Sequence, residues 1–324
     1  MRLLILGGTA MLGRELARQA IDRGIDVTCA ARGTGPIPDG ADFVRVERDL
    51  DDGLETVKSR EWDAVIDLTR QPGHARRAVR DIRTRHWVFI SSGNAYARFD
   101  RPEQNEDAEL LEPLADDVMS DMSEYGAAKV ACEQTVRASQ ESWTVIRSGL
   151  IGGAGDATGR SGYYPWRFAH PTGPDVLAPP DLTFPVALID IEDLASWTLD
   201  CATGHAHGTF NATGLTTTLA EFLDTARSVA GASVTTRRVP GEILSAAGVG
   251  AWMGTPSLPL WIDEPDWRWF ATLDTTAARN AGLVTRPLAD TLAAALEYEY
   301  HRTAPRAAGL TDDEERALRE RLDS

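Results

Sequence analysis

A doubly wound α/β fold, in which helices cover both faces of a parallel sheet, is predicted for the first half of this 324-residue chain by three observations. Short, nearly continuous apolar runs such as RLLIL, DAVIDL and HWVFI alternate with longer amphipathic stretches, the pattern of strands buried on both sides. A glycine pair follows the first run directly, and a helical pattern starts at once after it. No internal repeat or low-complexity tract competes with this reading.

The elements follow in order. Strands are expected at 2–6, 26–30, 42–46, 64–68, 87–90 and 143–147, with helices at 11–23, 53–60, 73–83 and 123–139. After Arg147 the texture changes: 149–185 is dense in Gly and Pro and carries Tyr163, Tyr164 and Trp166, so a long loop region is expected. Strand and helix return over 186–201, GTFNATG at 208–214 reads as a strand and turn, and helices are expected near 218–230, 288–302 and 311–322. Residues 1–150 are thus expected to form a dinucleotide-binding Rossmann domain to which the segments near 186–214 return. Residues 151–324 mainly supply a smaller substrate-binding domain, with six of the nine tryptophans.

Composition narrows the function. A formal charge of −16 opposes non-specific binding to nucleic acid or an anionic membrane, which draws on clustered Lys and Arg. No apolar run approaches the roughly eighteen residues of a membrane span, and the opening MRLLIL stops at two glycines rather than continuing as a signal peptide. Cys29, Cys132 and Cys201 are scattered without metal or redox spacing and read as reduced core thiols of a cytoplasmic protein. His205 and His207 in GHAHG have the spacing of a strand-borne metal pair, but no nearby Cys or carboxylate completes a site, so no metal is expected.

The stretch LGGTAMLG, which carries Gly7, Gly8, Thr9, Ala10, Met11, Leu12 and Gly13, is the expected cradle for a pyrophosphate. Gly7 permits the tight turn, Gly13 lets the helix pack close to the sheet, and the first helical turn presents free N–H groups. Leu68, ending the fourth strand, is placed in the same cofactor set. At the end of the second strand, CAARG offers no carboxylate for a ribose but offers the fork of Arg32, which favours NADP over NAD. Asp49, after the third strand, stands where a carboxylate can accept from the adenine amino group.

In EYGAAK, Tyr125 and Lys129 lie four residues apart and project from one helix face. A neighbouring ammonium favours the phenolate and so fits a tyrosine to exchange a proton near neutrality. Only one other lysine, Lys58, exists beside thirty-one arginines, so chance is a poor account of the pair. Ser92, at the carboxyl end of the VFISS strand, points its hydroxyl into the crevice where open α/β sheets bind ligands, and can hold a substrate oxygen.

GGTxxLG, the Ser92 to Tyr96 spacing, YxxxK at 125–129, VIRSGLIGGAGD at 145–156, LIDIEDLA at 188–195 and FNATG at 210–214 resemble the extended short-chain dehydrogenase/reductase superfamily. The chain is most similar to bacterial proteins of its NAD-dependent epimerase/dehydratase family, in the atypical branch that includes chloroplast RNA-binding homologues. The resemblance implies Ser92, Tyr125 and Lys129 as a catalytic triad, with Lys129 also on the nicotinamide ribose. It implies Gly7, Gly8 and Gly13 around the pyrophosphate. Three positions depart from the pattern: Ala10 replaces the middle glycine, Ser148 replaces a proline, and Gly93 and Asn94 stand where sugar dehydratases carry an acidic pair.

The first expectation is an NADP(H)-dependent oxidoreductase that passes hydride between nicotinamide and a small-molecule carbonyl or alcohol. A nucleotide-sugar epimerase using the same triad is the alternative, and for its second diphosphate grip 151–185 offers Arg160 and Arg167. The tyrosines, tryptophan and prolines there suit an apolar or aromatic substrate at least as well. A non-catalytic dinucleotide-binding regulator or RNA-binding protein is the third, opposed by the charge and by the complete triad. The acidic run 103–124, which contains no basic residue, is expected to be a solvated loop ahead of the catalytic helix.

Overall fold

The computed structural model describes residues 1–323. Five parallel strands open the chain: β1 (Arg2–Leu6), β2 (Asp26–Ala31), β3 (Asp42–Arg45), β4 (Ala64–Asp67) and β5 (Trp87–Ser92). Between them lie α1 (Met11–Asp22), the single turn α2 (Glu55–Lys58) and α3 (Pro72–Asp81). The helix expected at 53–60 is thus cut short: Gly53 packs against the Glu47 carbonyl in a turn, and the chain leaves helical geometry at Ser59. Helix α4 (Tyr125–Ser139) leads into β6 (Trp143–Ser148). It begins two residues later than expected because Asp121 accepts from the Ser123 N–H at 2.7 Å and caps a 3-10 turn first.

Residues 149–185 are only in part the loop region the glycines and prolines suggest. They form β7 (Leu150–Gly152), α5 (Tyr163–Ala169) and β8 (Asp175–Ala178), with Tyr163, Tyr164 and Phe168 fully buried. Aromatic burial outweighs the local turn propensity there. Strand β9 (Leu188–Asp190), helix α6 (Ile191–Gly204) and β10 (Gly208–Ala212) follow. Further on come α7 (Leu219–Val229), opened by a Thr218/Glu221 capping box, and β11 (Thr235–Arg238). The chain closes with α8 (Leu288–Tyr300) and α9 (Asp312–Asp323).

The main sheet runs β10-β6-β5-β4-β1-β2-β3 and is parallel throughout. Its interior strands are buried on both faces: Leu3 to Leu6 and Trp87 to Phe89 are inaccessible, as periodicity alone requires of a sheet with two helical layers. Helix α6 packs beside α1, tied by Gln19 to the Glu192 carbonyl and by Arg23 to Asp200. Strand β10 pairs with β6, so the segment near 208–212 does return to the first sheet. A second core gathers Tyr163, Tyr164, Phe168, Leu177, Phe222, Leu258, Trp261 and Leu292.

A buried ionic network joins β5, β6, β10 and α4. Glu133 accepts from Arg147 Nε at 3.0 Å and Nη2 at 2.8 Å, from Arg137 and from Ser91. Arg147 also donates to Tyr96 Oη, which donates to Asn211. Every member except Arg137 is almost wholly inaccessible, so each charge relies on the others. The departure at Ser148 has a local purpose: its hydroxyl donates to the Ser91 carbonyl across the strand pair.

Candidate active site

The carboxyl ends of β1 to β4 enclose a cleft of about 520 Å³. Gly7, Thr9, Ala10, Arg32, Asp49 and Leu68 line it, as do Arg70 and His74, which sequence reasoning missed. Gly7 turns at φ +99°, outside the range of most side chains, and a Cβ on Gly13 would lie 2.3 Å from the Gly7 carbonyl. Strand and helix therefore meet closely, and Ala10, the N-cap of α1, offers no side-chain cap to its N–H groups. This cradle fits a pyrophosphate. The other members of the glycine stretch shape it from behind: Gly8 abuts Cys29 and Leu12 belongs to the core, while Met11 is half-buried against it.

Ala30 and Ala31 line the cleft at the end of β2 without a carboxylate, and Arg32 is exposed there with no hydrogen bond or ion pair among the described residues. Among the described residues Arg70 donates only to the Met122 sulfur. Arg48, by contrast, is committed to buried Asp67 through bonds of 2.8 and 2.9 Å. Asp49 Oδ1 lies 2.7 Å from His74 Nε2, and this hydrogen bond, with Arg32 nearby, holds the carboxyl below its usual range. Burial pulls His74 down against the attraction of Asp49. The neutral ring thus donates from Nε2 to Asp49 and accepts at Nδ1 from Thr69 Oγ1.

Tyr125 is the first residue of α4, half-buried, and Gly126 explains its position. A Cβ at Gly126 would lie 2.1 Å from the Asn94 carbonyl, so the helix start presses directly on the turn that follows Ser92. The Ser92 hydroxyl, 8% exposed, donates to Asn94 Oδ1 at 2.9 Å and accepts from the Asn94 N–H. Lys129 is 3% exposed and donates to the Thr69 and Ile90 carbonyls at 2.6 and 2.7 Å. Its Nζ lies 4.9 Å from the Phe89 ring centroid and 5.8 Å from that of Tyr125. Two of three ammonium protons are fixed, which leaves one for a ligand. Tyr125, Lys129 and the Ser92 turn are thus brought together, and Lys129 bonds Thr69, which lines the cleft at the ends of β1 to β4.

The two arginines considered for a diphosphate grip part company. Arg167 is 1% exposed and bound to Asp312, the Leu310 carbonyl and buried Glu315, so it holds α5 to α9 and is removed from that role. Arg160 remains open. Its turn is built on the buried Asp156 carboxylate, which accepts from Thr158, Gly159 and Ser161. The tryptophan group also divides: Trp261 is core, whereas Trp267 is 38% exposed and packs on Phe99 at 5.0 Å. The acidic run is a largely exposed loop, as expected, and is tethered along α3, where the Asp117 carbonyl accepts from the Gly73 N–H and Gln71 from that of Met119. His205 stacks on His86 at 5.2 Å instead of pairing with His207.

No family model matches the sequence. No curated protein matches it either. Solved structures do. A putative epimerase from Burkholderia cenocepacia J2315 is 18% identical with a TM-score of 0.66, over 93% of this chain and 98% of that one. The Thermotoga maritima UDP-glucose 4-epimerase, solved with UDP-glucose, is 17% identical with a TM-score of 0.65, over 93% and 99%. The Bordetella bronchiseptica enzyme WbmH, solved with NAD+, is 16% identical with a TM-score of 0.65, over 94% and 99%. Because the likeness spans nearly the whole of each chain, this molecule shares the fold of those structures.

Proposed function

We propose that the chain is an NADP(H)-dependent enzyme that transfers hydride to or from the carbinol carbon of a small molecule, with Tyr125 as general acid and base. The observation that carries this is the packing of Gly126 on Asn94, which sets Tyr125 beside the Ser92 turn while Lys129 reaches Thr69 at the dinucleotide cleft. The cradle of Gly7, Ala10 and Gly13 would hold the pyrophosphate, and Arg32, with Arg70, would pair a 2′-phosphate. The nicotinamide, when bound, supplies or takes the hydride.

In reduction Tyr125 Oη gives its proton to the carbonyl oxygen as that oxygen gains negative charge; in oxidation the phenolate takes it from the alcohol. Ser92 turns its O–H from Asn94 Oδ1 to the same oxygen and orients it. Lys129 keeps a fixed positive charge beneath the phenol, because two carbonyls hold its ammonium in place, and its third N–H is available to a ribose hydroxyl. The second core supplies the substrate side of the cleft. Tyr125→Phe should bind NADPH as the wild type does and lose roughly 10²- to 10⁴-fold in turnover; retained turnover would remove the tyrosine from the mechanism.

A second reading, a nucleotide-sugar epimerase, is favoured by the solved structures of like fold, one of which was determined with UDP-glucose. It uses the same half-reaction and returns the hydride, so no reduced cofactor accumulates. Loss of Arg167 to an ion pair counts against a two-arginine diphosphate grip.

A further inference from the structure

Asp49 is expected to accept from an adenine amino group, yet a carboxylate on an open turn has no fixed direction of its own. The Asp49 side chain is 61% exposed, and a freely rotating acceptor discriminates poorly between one base edge and another. The structure supplies a hold. Oδ1 lies 2.7 Å from His74 Nε2, whereas Oδ2 accepts from no donor among the described residues. Asp49, His74 and Thr69 all line the cleft of about 520 Å³, whose other carboxylate is that of Glu47.

Thr69 decides which way the bond to Asp49 runs. Its Oγ1 accepts from the Gln71 N–H at 3.1 Å, and its one proton goes to His74 Nδ1 at 3.3 Å. With Nδ1 bare, the ring hydrogen sits on Nε2 and is donated to Asp49, where the other tautomer would oppose a lone pair to the carboxylate. The ring is anchored from behind as well. His74 stands in the first turn of α3, which Pro72 opens, and its carbonyl accepts from Arg48 Nη2 at 3.0 Å. Arg48 is bound in turn to buried Asp67, and Asp67 Oδ1 also accepts from the Thr69 N–H at 3.0 Å. One buried carboxylate therefore fixes both Thr69 and His74. Ala30, Ala31, Val46 and Leu68 give the same cleft apolar walls that suit a purine ring.

We propose that His74, with its tautomer set by Thr69, is a positioning residue for base recognition: it holds Asp49 so that Oδ2 accepts from the exocyclic amino group of adenine. The cleft then selects an adenine dinucleotide over its 6-oxopurine counterpart, whose carbonyl oxygen would face the carboxylate. This rests on the reading of the cleft as a dinucleotide site, and it asks nothing of Tyr125 or of the reaction. The histidine itself touches no reacting atom.

The test compares NADP+ with nicotinamide hypoxanthine dinucleotide phosphate, which carries an oxygen in place of the amino group. Calorimetry without any substrate gives the two dissociation constants for the wild type, His74→Ala, His74→Gln and Thr69→Val. The wild type should bind NADP+ about 10-fold more tightly, the worth of one hydrogen bond to a held carboxylate. His74→Ala and Thr69→Val should bring the ratio to about 2-fold or less by weakening NADP+ alone, with the hypoxanthine dinucleotide little changed. His74→Gln, whose amide N–H reaches toward the place of Nε2–H, should keep most of the preference. Equal binding of the two nucleotides by the wild type, a wild-type ratio in His74→Ala or Thr69→Val, or an equal loss on both nucleotides would overturn the proposal, the last because it is what a merely structural histidine gives. The predicted ratios without turnover of NADPH by any carbonyl compound would uphold base selection and reject hydride transfer. Binding of neither nucleotide would reject the dinucleotide site, and this proposal with it.

Discussion

Arg32 and Lys129 illustrate how two cations of one molecule acquire different work from their neighbours. Arg32 stands exposed in the cleft at the carboxyl ends of β1 to β4 with no hydrogen bond or ion pair among the described residues, so its fork is available to the phosphate we propose there. Lys129 is buried, and two carbonyls hold it under a phenol. Arg32→Ala should therefore weaken NADPH binding by about 10- to 100-fold, the worth of one or two charge-assisted bonds, and leave NADH nearly unchanged. Fluorescence titration with both nucleotides checks this, and tighter NADH binding indifferent to the substitution would contradict it. These two residues were legible in the sequence because a strand end and an i,i+4 spacing place them by local geometry alone. Arg160 was legible only as an arginine: its freedom became visible once Arg167, seven residues on, was found locked to Glu315 and Asp312. Arg70 and His74 gave no such local signal, since their place in the cleft depends on where the turn after β4 is carried.

The order and type of the first elements were readable because their apolar periods differ, and the errors lie where packing overrode propensity. Gly and Pro in 149–185 argued for loop, yet Tyr163, Tyr164 and Phe168 bury enough surface to impose α5. The Glu133–Arg147 network was unreadable for another reason: it joins residues from four elements, and no spacing announces it. Glu133→Ala should cost about 3–5 kcal/mol in chemical denaturation, because it strands Arg147 without its carboxylate. Gly126→Ala should be less costly to the fold, about 1–3 kcal/mol from overpacking against Asn94, yet should lower turnover by displacing Tyr125. His86 ties the starts of β5 and β6 through Ser142 and Thr144. Burial, with His205 and His207 nearby, pulls its imidazole from 6.5 to about 4. The unfolded chain takes the proton first, so this contribution is complete above about pH 6.5 and is lost as pH falls through about 4. The denaturation midpoint should drop over that window, and His86→Gln should flatten the drop.

The seven-stranded sheet brings two groups of residues toward its carboxyl edge: the glycine turn between β1 and α1, for which we propose a phosphate, and Tyr125 and Lys129 of α4 against the end of β5, for which we propose proton transfer. No described helix is long and apolar enough to cross a membrane, and the net charge of −16 gives polyanions no electrostatic welcome. The central claim is that Tyr125 exchanges a proton with a substrate oxygen while hydride crosses to or from a nicotinamide. The most direct measurement is the absorbance of NADPH, followed with a panel of small-molecule aldehydes and ketones for the wild type and for Tyr125→Phe loaded to the same nucleotide occupancy. The account predicts consumption of NADPH by the wild type and its near-complete loss in the variant; equal consumption by both, at equal occupancy, would contradict it.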